Sequence, residues 1–478
     1  ALSVDWDIAV DPVDGTRLAA EGVPGAVAVM AAAERGSMLE SSEVYMMKKI
    51  VSGPAGRGVL DIDASPAENI TALAEALGKP VDEMRVAVIN KARNFELIAQ
   101  VQEAGAIWVR FDEGDIAMAV AAATPGSGVD LLLGLGGSPE GVVAAVAIQV
   151  LGGFMQTRFA PQDAEQIARA LAARLNPRIR LGASTWSYPG WAGIVWDEGP
   201  YSEAVLAKNG LTAYAQHPLL RCVGIDRSFY RPLTEAQYAR YAGQVPDDFR
   251  FVVKAPALVT DALVRGEQGQ GRQPNTAFLD PVLATQEFIT PALAGLGDKV
   301  GALVFQLSPL PFSQLQRLPL LLERLRALLR ALPDVRGATP DGVVAVEVRD
   351  PEWLSPAIAP QLAAVLKETG ATYCLGLHAK MPRLAEQLPI LRALWPGPMV
   401  CRWNLNPLHG AYGYEDAQRS YEPYDRIHDV DAETRALIVR TVRGVTGAGQ
   451  NAYVTISNKA EGCAPLSARA LAEGLAAG

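Results

Sequence analysis

The sequence predicts an α/β chain in two blocks, an open α/β sheet followed by a (β/α)8 TIM-barrel-like domain. Three observations lead there. Short apolar runs alternate with helix-like stretches as far as about Phe159. Eight further β-like runs alternate with helices from Arg178 to the end. Between them, Pro161–Arg174 reads as an amphipathic helix that Asn176-Pro177 breaks. The domains expected are therefore residues 1–160, a helical linker over 161–177 and a barrel over 178–478.

In the first block, Ile8–Val10, Arg85–Asn90, Ala106–Phe111 and Val129–Leu135 read as strands, with a helix around Phe95–Ala104. In the second, the strand-like runs are Ile179–Thr185, Cys222–Phe229, Arg250–Ala255, Ala302–Leu307, Val343–Val348, Thr372–Leu377, Met399–Trp403 and Ala452–Ser457. Leu315–Leu332 and Pro360–Thr369 are two of the intervening helices. Eight such units over about three hundred residues is what a closed parallel barrel requires.

Composition narrows the function classes. Of 478 residues, 43 are Lys or Arg and 52 are Asp or Glu, a net charge of −9, which speaks against gripping nucleic acid or an anionic membrane. The four cysteines, Cys222, Cys374, Cys401 and Cys463, form no C-x-x-C pair. That excludes a small zinc module or a disulfide scaffold and fits a cytoplasmic protein. Ala1–Val10 lacks the basic start of a signal peptide, and the longest apolar stretch, Gly141–Met155, is too short to span a bilayer. Because Ala1 lies inside a strand-like run, an N-terminal piece is expected to be absent.

The chemistry of the first block gathers at strand ends. Asp11-Pro12-Val13-Asp14-Gly15-Thr16 follows Ile8–Val10 and places two carboxylates three residues apart in a Pro/Gly turn. Oxygen ligands so placed suit a hard divalent cation, and the Thr16 hydroxyl could orient an attacking water. Gly136-Gly137-Ser138-Pro139-Glu140-Gly141 opens a helix after a strand, which suits a phosphate, with Glu140 as a third carboxylate. Lys91-Ala92-Arg93 and Glu113-Gly114-Asp115 end the two strands between. Ligands of open α/β sheets gather at such carboxyl ends. Read from the residues alone, the first motif is equally an Asp-rich β-turn and the second a helix start with an acidic first turn.

Together with Val44–Pro54 (V-Y-M-x-K-x-I-V-x-G-P), this ordered series resembles the class II (GlpX-like) fructose-1,6-bisphosphatases over most of residues 5–160. The resemblance implies an inositol-monophosphatase-like sugar phosphatase fold, here incomplete. It also implies hydrolysis of fructose 1,6-bisphosphate by metal-activated water, in the service of gluconeogenesis and glycerol metabolism. Asp11, Asp14 and Glu140 would ligate Mg2+ or Mn2+. Asp14, Gly15, Thr16, Tyr45, Lys91, Arg93, Glu113, Asp115 and Gly137 would line the sugar phosphate, with Asp14 and Thr16 catalytic. Ala92 replaces the family's usual Pro, and Glu113 stands where Asp is common. The family's upstream Lys/Asp/Glu-rich metal loop and its C-terminal portion have no counterpart in this sequence.

In the barrel block, polar residues fall at the ends of nearly every strand: Ser184 and Trp186, Asp226 with Phe229-Tyr230, Lys254, Gln306, Glu347 and Arg349, His378, Arg402 and Asn404, and Asn458. These positions converge on the C-terminal face of such a barrel, where active sites lie, and Trp186, Trp191 and Tyr230 are expected to wall an apolar pocket. Glu347-x-Arg349 is equally readable as a structural ion pair. The stretches G-A-S-T-W-S-Y-P-G-W (182–191), S-F-Y-R-P (228–232), F-V-V-K (251–254), F-Q-L-S-P (305–309), V-E-V-R-D-P-E-W (346–353) and S-N-K-A-E-G-C-A-P (457–465) resemble the YecE-like barrel proteins of uncharacterised function. Asp226-Arg227 and Thr260-Asp261 depart from that family's usual Glu and Asn, and Thr-His.

The reading that follows is a metal-dependent sugar-bisphosphate phosphatase fused to a barrel of unknown activity. Its partner is a small-molecule sugar phosphate, with a homo-oligomer left open. The alternative makes the first block an inactive relic or interaction module and places the function in the barrel, which would bind or hydrolyse an unknown ligand.

Overall fold

The computed structural model describes residues 6–39, 44–160, 164–197, 201–265, 271–410 and 413–477. Two compact units result, Ala1–Ala170 and Leu171–Gly478.

The first unit holds seven strands: β1 (Trp6–Asp14), β2 (Val27–Glu34), β3 (Met46–Ser52), β4 (Arg85–Ile89), β5 (Ile107–Phe111), β6 (Leu131–Gly137) and β7 (Phe154–Phe159). Five form one sheet in the order β5-β4-β6-β3-β7, while β1 and β2 pair separately as an antiparallel ribbon. Strands β4, β5 and β6 are parallel, as the strand–helix alternation requires. Strand β3 runs antiparallel to both β6 and β7, so the sheet is mixed rather than uniformly parallel. Neither β3 nor β7 was among the expected strands. Apolar side chains alternate across the sheet: Ile50, Val86, Val88 and Leu133 pack under Pro66–Leu77 and Phe95–Glu103, and Val51, Ala87, Ile89 and Leu132 under Asp115–Ala123 and Ser138–Val150.

The D-P-V-D motif is not a turn beyond a strand but the bulged end of one. β1 continues to Asp14, and its register with β2 shifts between Asp11 and Asp14. Pro12 brings no N–H to the ladder, and the Asp11 carboxylate accepts the Val13 N–H at 3.1 Å, so the bulge is held by the motif's own residues. The joining helix runs over Ala164–Ala172; the start expected at 161–163 lies outside the described residues. Among the described residues no helix is long and apolar enough to cross a membrane.

The second unit is a closed barrel of eight parallel strands: β8 (Ile179–Ala183), β9 (Cys222–Ile225), β10 (Arg250–Lys254), β13 (Val300–Gln306), β14 (Val343–Glu347), β15 (Thr372–Leu377), β16 (Met399–Trp403) and β17 (Ala452–Ile456). A separate antiparallel pair, β11 (Leu263–Arg265) and β12 (Gly271–Pro274), interrupts the alternation. All eight barrel strands fall where the apolar runs place them. The expected Cys222–Phe229 strand stops at Ile225, because Arg227–Tyr230 coils into a helical turn. Val252, Ala302, Val304, Val343, Ala345, Cys374, Val400 and Tyr453 share one core cluster within the barrel.

Strands β8 and β9 share only two register pairs. Tyr214 reinforces that seam: its buried hydroxyl donates to the Cys222 carbonyl at 2.9 Å and accepts the Ala183 N–H at 2.7 Å. Tyr214→Phe strands both backbone groups, and we expect it to destabilise the barrel by about 1–3 kcal/mol in urea unfolding. An unchanged midpoint would show that the hydroxyl bridges nothing of consequence.

Candidate functional site

The carboxyl ends of β4, β5 and β6 lie together, and the end of the β1–β2 ribbon meets them. The result is an open cleft of about 310 Å³ lined by Asp11, Asp14, Gly15, Thr16, Arg93, Glu113, Asp115, Gly137 and Glu140, with Val13, Ile89 and Gly114 between them. Nearly all the residues expected to hold a sugar phosphate are in it. Tyr45 and Lys91 are not among the lining residues. Tyr45 is exposed and uses its carbonyl to accept the Ser138 N–H at 2.9 Å. Lys91 stands 4.0 Å from Glu113.

Asp14 is the buried centre of this cleft. Its carboxylate accepts the Ile116 N–H at 2.9 Å, in the first turn of the Asp115–Ala123 helix. Burial still pushes its pKa above the ordinary value, and Asp115, Asp11 and Glu140 push it the same way against the Ile116 hydrogen bond. Glu113 is held by the Arg17 N–H at 3.0 Å and Asn94 pins the β6 end, exchanging hydrogen bonds with Leu135 at 2.9 and 3.1 Å. Arg93 also reaches the Leu135 carbonyl, at 2.8 Å.

One functional side chain escaped the sequence reading. Lys49, on β3 and 3% exposed, forms a short ion pair with Asp115. The quoted V-Y-M-x-K motif points instead to Lys48, which lies on the other face and donates to the Ile62 carbonyl at 2.6 Å. Strand alternation is the signal that would have found it, since Met47, Lys49 and Val51 share a face once β3 is recognised as a strand. Gly136, on the neighbouring β6, must lack a side chain, because a Cβ there would collide with the Asp115 carboxylate and come within 3.0 Å of Lys49 Nζ.

The expected metal set does not close. Among the described residues no three His, Cys, Asp or Glu side chains could hold a metal ion together, and one oxygen of Asp11 is committed to Val13. The remaining carboxylates do fit a cation. Glu140 Oε2 is buried with no hydrogen-bond partner, and Asp14 is crowded by like charge. Two carboxylates completed by water and substrate phosphate match the habit of a small hard divalent ion.

The barrel mouth gives a second cleft, of about 320 Å³. Asp226, Tyr230, Lys254, Gln306, Arg349 and Arg402 line it as expected, together with Ser184, His378 and Asn404, and with Tyr188, Pro309, Tyr414, Ser457 and Lys459. Glu347 lies beneath, fully buried between Arg349 at 2.7 Å and Arg402 at 2.6 Å. Arg402 also grips Asp226 with both oxygens at 2.8 and 2.9 Å, and Gln306 Oε1 accepts from Arg349 and Arg402 at 2.6 and 3.0 Å. Gly376 makes room for this layer, since a Cβ would lie 2.8 Å from Glu347 Oε1.

Besides Glu347 beneath it, the expected Phe229, Trp186, Trp191 and Asn458 do not line this cleft. Trp186 is buried edge-on against Tyr241, Asn458 Oδ1 accepts from Trp191 Nε1 at 3.2 Å and from the Ala464 N–H at 2.9 Å, and Trp191 has no exposure at all. The expected apolar pocket is therefore a polar one rimmed by Tyr188, Tyr230 and Tyr414. The tryptophans instead fill the core behind it, where their large apolar area is most stabilising.

Burial and charge set the protonation states. Burial raises the Glu347 pKa, but Arg349 and Arg402 more than reverse that and hold it at about 2. Burial pushes Lys254 down to about 7, with Arg402 and Arg349 opposing its charge and Asp226 and Glu347 favouring it. His378 falls to about 4, through burial first and then Arg349, and is a neutral imidazole at neutral pH.

Comparison with known proteins places both units. Residues 180–478 match the family described as protein of unknown function DUF72. The chain belongs to the DUF72 family. Ahead of the DUF72 barrel, residues 2–184 match bacterial fructose-1,6-bisphosphatase, glpX-encoded. The chain is 43% identical over 150 residues to a D-fructose 1,6-bisphosphatase class 2/sedoheptulose 1,7-bisphosphatase of Synechococcus sp., covering 31% of this chain and 45% of that one. A protein of the same description from Thermosynechococcus vestitus is 38% identical over 171 residues, 36% of this chain and 49% of that one. Fructose-1,6-bisphosphatase 1 class 2 of Escherichia coli is 42% identical over 152 residues, 32% and 45% of the two chains. The chain thus spans about half the length of the curated relatives it matches. Among solved structures, DUF72 family proteins of Enterococcus faecalis (TM-score 0.42, 18% identity, 62% of this chain and 95% of that one) and Thermotoga maritima (TM-score 0.40, 19% identity, 62% and 98%) are similar to it.

Glu347 makes the barrel acid-sensitive in a definite window. With a folded pKa near 2 against an ordinary 4.5, its contribution is complete above about 4.5 and is lost as pH falls toward 2. Glu347→Gln should therefore flatten the fall in urea stability between pH 5 and about 2.5, by a few kcal/mol relative to the parent chain. Parallel curves for the two would refute the assignment.

Proposed function

We propose that the first unit is a metal-dependent sugar-bisphosphate phosphatase that releases phosphate from fructose 1,6-bisphosphate. The observation that carries this reading is the meeting of Asp14, Asp115–Lys49, Glu113 and Glu140 at one cleft, on the sheet ends where α/β folds bind ligands. The relatives are fructose-1,6-bisphosphatases, and that activity comes to this chain through the cleft residues it retains.

In this reading Asp14 and Glu140 hold Mg2+ or Mn2+, which when bound lowers the pKa of a water and offsets charge on the phosphate. Arg93 presents its guanidinium to the substrate phosphate while its Nε keeps the loop fixed to Leu135. Lys49 holds Asp115 in place by a buried ion pair, so that its side chain faces the sugar hydroxyls. Thr16, exposed at the cleft edge, offers its hydroxyl to the attacking water.

The test is release of inorganic phosphate from fructose 1,6-bisphosphate by the full chain, with Mg2+ or Mn2+ and with chelator. Release that requires the cation is expected, and Asp14→Asn should lower it by at least about a hundredfold. No release with either metal would overturn the phosphatase reading, and full activity of Asp14→Asn would overturn the ligand assignment. Lys49→Met provides a separate check: leaving Asp115 unpaired should destabilise the first unit by about 3 kcal/mol, and adding Asp115→Asn should restore much of that loss.

A further inference from the structure

The barrel cleft contains chemistry that the phosphatase reading does not use. Lys254 ends β10 on the C-terminal face of the barrel, and its Nζ lies 3.5 Å from the centroid of the Phe229 ring. Its neighbours are already committed. Arg402 is bound to Asp226 and Glu347, and Arg349 to Glu347 and Gln306, so the carboxylates that would ordinarily pair a lysine are occupied by guanidinium groups. Among the described residues no ion pair to Lys254 forms.

Two further groups mark what the cleft is built to receive. Asn404 is 6% exposed and its Nδ2 donates to nothing; Arg349 is also 6% exposed and its Nε likewise lacks an acceptor. Both residues line the cleft, and Lys459 lines it too. Buried donors without acceptors cost stability unless a ligand supplies the oxygens. The missing partner is thus an acceptor-rich, negatively charged group.

We propose that the barrel mouth binds a small carbonyl compound bearing a carboxylate or phosphate, and that the Lys254 amine condenses with its carbonyl carbon to a Schiff base. In that step the amine nitrogen forms a bond to the carbonyl carbon, and a proton shifts from nitrogen to oxygen. The carbinolamine oxygen takes a second proton from cleft water and leaves as water while the nitrogen lone pair closes the C=N bond. The remaining N–H proton passes to the hydroxide so formed, so that one water is released overall. No electrons are gained or lost overall. Asn404, with Arg349 and Lys459, holds the anionic end.

The environment of Lys254 is right for this role. With its pKa near 7, about half the amine is neutral at pH 7, whereas an ordinary lysine keeps only about one in three thousand. The charged groups that face it are Asp226 and Glu347, which favour the ammonium, and Arg349 and Arg402, which oppose it; His378 is neutral in this range.

Trapping on the intact chain decides the matter. Glyoxylate, a carbonyl with a carboxylate, is incubated with the protein and cyanoborohydride at pH 7, and the modified lysines are located by peptide mass spectrometry. Lys254 is expected to carry about tenfold more adduct than any other lysine, with labelling half-maximal near pH 7. Acetaldehyde, which lacks the anion, should label it about tenfold less, and Asn404→Asp should depress glyoxylate labelling. Labelling spread evenly over surface lysines would overturn the nucleophile. Equal labelling of Lys254 by the two aldehydes would overturn the anion subsite. Neither outcome touches the phosphatase reading, which concerns the other unit.

Discussion

A fully buried carboxylate is tolerable only where its charge is matched on the spot, and Glu347 imposes that condition on the whole mouth of the barrel. Two arginines answer it from β16 and from the loop after β14, and each then needs its remaining N–H groups satisfied. Gln306 on the adjacent β13 supplies one oxygen to both, Asp226 takes the rest of Arg402, and β15 must carry a glycine where a side chain would strike Glu347. Side chains from strands of four different sequence regions are thus fixed by one buried charge. Lys254 is left beside this network but outside it, and burial first, with Arg402 and Arg349 adding to it, brings its pKa down to about 7.

The first unit meets the same electrostatic problem with a different outcome. Lys49 neutralises Asp115, but Asp14 is compensated only by a backbone N–H, and one oxygen of Glu140 by nothing. The carboxylates there outnumber the cations able to reach them. A carboxylate whose charge is matched by two arginines, as Glu347 is, helps to rigidify a fold, whereas an unmatched group such as that around Asp14 stays ready for a cation brought in with a phosphate ester.

How much of this was legible in the sequence depends on the range of each signal. The eight barrel strands were readable because each is a short apolar run between turn residues, a purely local pattern. The cleft residues of the first unit were readable because they cluster in short motifs at strand ends. Lys49 was not, because its role depends on β3 running antiparallel beside β6, a pairing that no local pattern encodes. The bulge at Asp11–Asp14 was missed for the same reason: a D-P-x-D segment reads as a turn until its partner β2 is known. Trp186 and Asn458 show the opposite error. Their chain positions at strand ends were read correctly, but the direction of a side chain just past a strand is set by the helix that follows, and both turn into the core.

Unpaired donors are the part of a site that sequence conceals most completely. Asn404 was recognisable as a polar residue at a strand end, yet nothing in the chain tells that its amide would be buried without an acceptor. Cores remove such groups wherever they can, since replacing asparagine with an isosteric apolar residue would relieve the cost. Retaining two on one cleft, beside a lysine deprived of its carboxylates, is a loss of stability that burial does not recover. A ligand that brings oxygens to both donors and a carbonyl to the amine would recover it in a single binding event.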